Sequence, residues 1–120
     1  MNAVGLVFAL IAALIHVYIF VLESVLFPRP SARKNFGVTE EELPAVRPWA
    51  FNQGFYNLFL AIIAVVGVIL DDPAGKALVA AACGSMVAAA LVLLATNRRM
   101  LRAAAVQGLA PLIVLVSLFF

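Results

Sequence analysis

The sequence predicts an all-α membrane protein: a four-transmembrane-helix bundle with both termini outside. Of the 120 residues, 66% are hydrophobic and only 12% are charged, whereas a soluble domain is about half apolar and about a quarter charged. Apolar runs of about twenty residues, the length that crosses a bilayer as a helix, cover most of the chain. These runs are continuous and do not alternate with polar residues, which excludes a transmembrane β-barrel.

The apolar runs form a single predicted domain over residues 1–120. The four helices are expected at about residues 3–26, 48–70, 76–95 and 101–120. The first should end before Pro28 and Pro30, because proline removes a backbone donor and blocks helix continuation. The second should begin at Pro48 and Trp49, since proline suits a first helical turn and tryptophan suits the membrane interface. Short polar turns separate the remaining helices.

The positions of the basic residues predict the orientation. The first and third connectors, with their flanks, hold seven of the eight lysines and arginines, whereas the second connector holds only Lys76, close to Asp71 and Asp72. Basic residues are enriched in cytoplasmic loops. We therefore expect the first and third connectors in the cytoplasm, and we expect the protein in the inner, plasma membrane of the cell.

Several functional classes have no support. No basic stripe with interleaved aromatic residues indicates nucleic-acid binding. Cys83 is the only cysteine and His16 the only histidine, so no multi-residue metal site of the zinc type is expected, and no cofactor motif is present. We interpret Cys83 as a small buried core residue. The third helix carries small residues at every fourth position, which favours close packing within the bundle or between copies in a homo-oligomer.

Two ionisable residues, His16 and Glu23, lie inside the first predicted helix. Ionisable groups are costly in hydrocarbon and usually face a protein interior or a polar cavity. The two residues are seven positions apart, which is two turns, so we expect both on one face, with Glu23 about 10 Å nearer the cytoplasm.

Polar residues of two further helices are expected at the same depth. The second helix has two i, i+4 pairs near its start, and the fourth helix has one amide shortly after its start. These residues are Asn52, Gln53, Tyr56, Asn57 and Gln107. The number of residues between each polar side chain and the cytoplasmic end of its helix therefore predicts one polar cluster in the cytoplasmic half of the membrane. Taken singly, each amide is also typical of an interhelical hydrogen bond that only fixes helix register.

A family resemblance rests on the same residues. The stretches His16-Val-Tyr-Ile-Phe-Val-Leu-Glu23, Phe36-Gly37, Asn52-Gln-Gly-Phe-Tyr-Asn57 and Gln107-Gly-Leu-Ala-Pro111 resemble a family of small bacterial integral membrane proteins catalogued as domain of unknown function 1304. The resemblance spans nearly the whole chain. One departure is that Val25-Leu-Phe27 stands where the family pattern has an aromatic residue such as tryptophan. The resemblance implies four helices and singles out the same polar residues, but it implies no reaction.

The favoured hypothesis is a metal-independent enzyme that acts on a lipophilic, terpenoid-like or lipid-like substrate. Glu23 would be the general acid, with His16 and Tyr56 supporting proton transfer and the amides Asn52, Gln53, Asn57 and Gln107 orienting the substrate. Phe20 and Phe55 would line the pocket, since aromatic faces stabilise positive charge. Epoxide opening, isomerisation or cyclisation needs such a proton source and excluded water. Alternatively, the histidine and glutamate form the proton relay of an oligomeric transporter, or the chain is a non-catalytic membrane subunit.

Overall fold

The computed structural model describes residues 1–120 and contains only helices and connectors. The α-helices are α1 (Ala3–Phe20), α2 (Pro30–Arg33), α3 (Leu43–Leu70), α4 (Pro73–Thr96) and α5 (Leu101–Ser117). A π-helical turn, Val21–Val25, follows α1 directly, and short 3-10 turns cover Lys34–Phe36 and Arg98–Met100. The residues form two compact units: one of Met1–Ile15 with Leu60–Phe120, and one of His16–Phe59.

Four helical stretches are long and apolar enough to cross a membrane. They are Ala3–Val25, Leu43–Leu70, Pro73–Thr96 and Arg98–Ser117. Helices suit this role because every interior backbone group is paired within the segment, and hydrocarbon offers no other partner. The predicted class, an all-α membrane protein with four spanning helices, is confirmed, whereas the side on which each terminus lies stays a prediction.

Helix α3 begins at Leu43, five residues before the predicted start at Pro48. A capping box orders the turn that leads into it, from Thr39 to Glu42. The backbone N–H of Thr39 donates to Glu42 Oε1 at 3.0 Å, and the backbone N–H of Glu42 donates to Thr39 Oγ1 at 3.3 Å. Pro48 therefore lies inside the helix, where its missing N–H leaves one carbonyl of the preceding turn without its usual helical donor.

The unit of Met1–Ile15 and Leu60–Phe120 has its own apolar core. The core residues are Ala9, Ala12, Ala64, Val79, Ala82, Cys83, Met86, Ala110 and Val114. Cys83 is fully buried, as predicted for a small core residue. On α4 the buried face runs through Val79, Ala82, Met86 and Ala90, so large and small residues share it.

The small-residue repeats of α4 contribute little to that core. One predicted repeat, Ala77, Ala81, Ser85 and Ala89, is exposed over its whole length. The hydroxyl group of Ser85 donates a hydrogen bond to the carbonyl oxygen of Ala81 at 2.8 Å. Packing between copies through this repeat therefore stays a prediction.

The unit His16–Phe59 contains the end of α1, the π-helical turn, the connector and the first four turns of α3. The connector is ordered around Phe27, which is 2% exposed and whose ring lies 5.5 Å from that of Phe36. Gly37 then reverses the chain at φ 66°, a left-handed conformation that glycine adopts without a Cβ clash.

Candidate functional site

Two consecutive residues of the π-helical turn Val21–Val25, Glu23 and Ser24, contact α3. The turn is closed by the N–H of Leu26, which donates to the carbonyl oxygen of Val21 at 2.8 Å. Asn57 Nδ2 donates to Glu23 Oε1 at 2.6 Å, and Ser24 Oγ donates to the carbonyl oxygen of Phe51 at 2.7 Å. Neighbouring residues of a regular α-helix do not share a face. The π-helical geometry therefore accounts for the joint contact, and such turns are frequent at functional sites.

Gly54 allows this close approach. A Cβ atom at this position would overlap Ser24 Oγ and would lie 3.1 Å from the Cβ atoms of both Glu23 and Ser24. Both distances are tighter than ordinary van der Waals contact. Gly54 and Asn57 are three residues apart and share a face of α3. Gly54 leaves room for the π-helical turn, and Asn57 binds the carboxyl group of Glu23 within that turn.

The hydrogen bonds of Asn57 fix how its amide group is oriented. The same Nδ2 atom also donates to the backbone carbonyl oxygen of Gln53 at 3.3 Å. With the amide rotated by half a turn, two oxygens would face each other at this contact, so Nδ2 rather than Oδ1 faces Glu23. Glu23 Oε1 thus accepts the Asn57 bond, and Oε2 has no hydrogen-bond partner in the structure.

Aromatic rings lie within one turn of the carboxyl–amide pair. The rings of Phe20 and Phe55 meet edge to face, with centroids 5.0 Å apart. Phe55 also contacts Phe51 at 5.2 Å and Phe59 at 6.1 Å, one turn away on either side. The two predicted pocket residues, Phe20 and Phe55, are therefore in direct contact with each other.

His16 is buried, with 2% of its surface exposed. Seven residues of helix separate its backbone from that of Glu23 by a rise of about 10 Å. The carboxyl group of Glu23 accepts its hydrogen bond from Asn57. Proton exchange between His16 and Glu23 therefore stays a prediction.

Three predicted site residues on α3 are not brought to Glu23. Asn52, Gln53 and Tyr56 are exposed, and the Tyr56 side chain is 59% exposed. Asn52 and Tyr56 share one face because they are four residues apart, and that face differs from the one through Gly54 and Asn57. Of the residues in this polar stretch, only Asn57 forms a hydrogen bond with the acid.

Gln107 lies on α5 in the other unit, where its side chain is partly buried. Its place relative to Glu23 stays a prediction. Sequence reasoning did not single out Ser24 or Gly54, which position Glu23. The available signal was the glycine inside the polar stretch of the second helix, because an interior glycine often marks a close helix approach.

The structure contains no group of three or more His, Cys, Asp or Glu side chains that could hold a metal ion. The carboxyl group of Glu23 can accept or release a proton at Oε2 while Oε1 keeps its bond to Asn57, because a protonated carboxyl group retains one acceptor oxygen. The arrangement is thus suited to acid–base chemistry beside aromatic rings.

These features define a class: a small all-α membrane protein that holds a carboxyl–amide pair between the end of its first span and the middle of its second. The chain belongs to the family described as protein of unknown function, DUF1304, which matches residues 10–119. No curated protein and no solved structure matches the chain.

Proposed function

We propose that this protein is an integral membrane enzyme that uses Glu23 to move a proton on a lipophilic substrate. The observation that carries the proposal is the geometry of the pair: Asn57 binds Oε1 at 2.6 Å and leaves Oε2 without a partner. A carboxyl group held in this way keeps its position in both protonation states, which is what a general acid–base residue requires. Isomerisation of a terpenoid-like or lipid-like alkene is the simplest reaction of this kind.

The proposed step is balanced without a cofactor. The protonated carboxyl group of Glu23 donates its proton to one carbon of a C=C bond, and the π electrons form the new C–H bond. The resulting carbocation is stabilised by nearby aromatic rings, such as those of Phe20 and Phe55. The Glu23 carboxylate then removes a proton from a neighbouring carbon, so the double bond has moved and the acid is restored.

Epoxide opening and cyclisation also begin with a proton from Glu23 and belong to the same proposal. An epoxide takes the proton on its oxygen as a C–O bond breaks, whereas a cyclising alkene takes it on carbon, and in both cases the Glu23 carboxylate then removes a proton from a carbon next to the carbocation. The apolar surroundings of the first span support all three, because they exclude the water that would trap a carbocation. We place the protein in the inner membrane with both termini outside, on the distribution of its basic residues.

The test follows deuterium from solvent into lipid. The purified protein is reconstituted in nanodiscs with a total membrane-lipid extract, transferred to D2O buffer, and its lipids are analysed by mass spectrometry. We expect a lipid species that gains carbon-bound deuterium with the wild-type protein, because a carboxyl group exchanges its proton with solvent and then transfers it to carbon. Glu23→Gln, which keeps the shape and removes the acid, should abolish the gain.

Glu40→Gln is the matched control, because Glu40 is an exposed carboxyl group in the connector and its substitution should leave deuterium uptake unchanged. Equal labelling by wild type and Glu23→Gln would contradict the proposal. If Glu23→Gln instead removes proton-coupled flux from liposomes and no lipid is labelled, the protein is a transporter. A change in thermal stability alone would indicate a structural role.

A further inference from the structure

Three basic side chains follow the first span within one short ordered segment. Arg29 precedes α2, Arg33 ends it, and Lys34 begins the following 3-10 turn. The backbone N–H of Arg33 donates to the carbonyl oxygen of Arg29 at 3.0 Å, so the two arginines stand at the two ends of a single helical turn. The cations begin four residues after the π-helical turn, at the end of a membrane-spanning stretch.

The guanidinium group of Arg33 lacks partners for most of its donors. Its Nε atom is buried and has no hydrogen-bond partner. Its only bond joins Nη1 to the carbonyl oxygen of Val38 at 3.5 Å, which is a long contact. A buried donor without a partner is uncommon, and it calls for an explanation such as an ion or another ligand.

No acidic side chain neutralises these cations. The only salt bridge in the structure joins the amino group of Met1 to Asp71. Glu40 and Glu41 belong to the same connector, but neither is within ion-pair distance of Arg29, Arg33 or Lys34. The positive charge of the segment is therefore available to an external anion.

The segment is also preorganised. Ala32, next to Arg33, is 1% exposed, and the contact between Phe27 and Phe36 closes the segment on both sides of α2. Little backbone freedom remains to be lost on binding, so an anion that engages Arg33 meets a fixed backbone instead of a flexible loop.

We propose that Arg33, assisted by Arg29 and Lys34, binds the phosphate group of an anionic phospholipid in the adjacent leaflet. A guanidinium group presents parallel N–H donors that match two phosphate oxygens. Basic residues directly beside a span lie where lipid phosphates are concentrated. The site does not depend on the reaction proposed for Glu23.

Native mass spectrometry tests the site by measuring apparent affinities for single lipids. Phosphatidylglycerol and phosphatidylcholine are titrated onto the detergent-solubilised protein. We expect the wild-type protein to prefer phosphatidylglycerol, and Arg33→Gln to lose roughly ten-fold in affinity for it, which corresponds to about 1.4 kcal/mol. Arg33→Lys should recover only part of the loss, because an ammonium group keeps the charge but not the fork of donors.

Arg99→Gln is the matched control, because it removes the same charge from an exposed arginine of another connector. The proposal is overturned if Arg99→Gln weakens binding as much as Arg33→Gln, or if Arg33→Lys binds like wild type, since either result indicates diffuse attraction without a built site. Competition by millimolar inorganic phosphate would indicate a site for a soluble anion and would also overturn it. Equal thermal unfolding of the variants in phosphatidylcholine nanodiscs shows that the fold is retained.

Discussion

The contact between the π-helical turn and α3 depends on the absence of a side chain at position 54. In Gly54→Ala, the new methyl group would overlap Ser24 Oγ and crowd the Cβ atoms of Glu23 and Ser24 at 3.1 Å. The hydroxyl group can rotate away, but it then loses its bond to Phe51, and the two Cβ contacts remain. The helices must therefore separate by a few tenths of an ångström or more.

The magnitude follows from two opposing effects. Overpacking of a fixed contact costs about 1–3 kcal/mol, whereas replacing a glycine within a helix by alanine gains about 1 kcal/mol of helix propensity. We expect Gly54→Ala to lower the free energy of unfolding by up to about 2 kcal/mol, which is the cost of crowding at Glu23 and Ser24 less the gain in helix propensity. The separation would also lengthen the 2.6 Å bond between Asn57 and Glu23.

Gly84→Ala provides the control. Gly84 also lies inside a spanning helix, but a Cβ atom there meets no atom within 4 Å. Only the gain in helix propensity remains, so Gly84→Ala should be neutral or stabilising. Reversible unfolding of both variants in the same lipid or detergent, measured by steric trapping or chemical denaturation, compares the two substitutions. If Gly54→Ala is as stable as Gly84→Ala, the close approach is not a determinant of the fold.

Three further outcomes are expected. Asn57→Leu should lower the free energy of unfolding by about 1–3 kcal/mol because it leaves the half-buried Glu23 without its donor; Glu23→Gln, which keeps an acceptor, should cost less in the same assay. A double-mutant cycle of Phe20→Leu and Phe55→Leu should give a coupling energy of about 0.5–1.5 kcal/mol, and a coupling near zero would contradict the ring contact. Hydrogen bonds from Thr39 hold the pKa of Glu42 below its ordinary value of 4.5. The stabilisation of the fold by the ionised Glu42 is therefore complete above pH 4.5 and is lost as the pH falls through the lowered pKa. The melting temperatures of wild type and Glu42→Gln should consequently converge in acid.

The number and class of the helices could be predicted because one physical effect dominates them. Apolar runs of spanning length leave a helix as the only way to pair their backbone. The start of α3 was predicted wrongly because Pro48 resembles a first-turn proline. The capping box Thr39-Glu-Glu-Glu42 was nevertheless visible in the sequence, and it would have moved the predicted start from Pro48 to Glu40, three residues before the observed start at Leu43.

The candidate site was predictable only in part. Hydropathy and depth selected Glu23 and Asn57, because an acid inside a span needs a polar partner at its own level. Hydropathy and depth could not say which face of the polar stretch contacts the first span, and they grouped Asn52 and Tyr56 with Asn57 in one cluster. The π-helical turn at Val21–Val25 has no reliable sequence signal, so the joint contact of Glu23 and Ser24 emerged only from the structure.

The contacts around Glu23 bear on why an acid stands at this position. Ser24 already joins the π-helical turn to α3 through Phe51, and Gly54 already fixes the distance between them. A glutamine at position 23 would accept the same bond from Asn57, with a smaller cost of desolvation than an ionisable group. If helix register were the only requirement, the neutral residue would serve it at least as well. Retained stability in Glu23→Gln, together with the loss of deuterium transfer, is therefore the combination that separates a chemical role from a structural one.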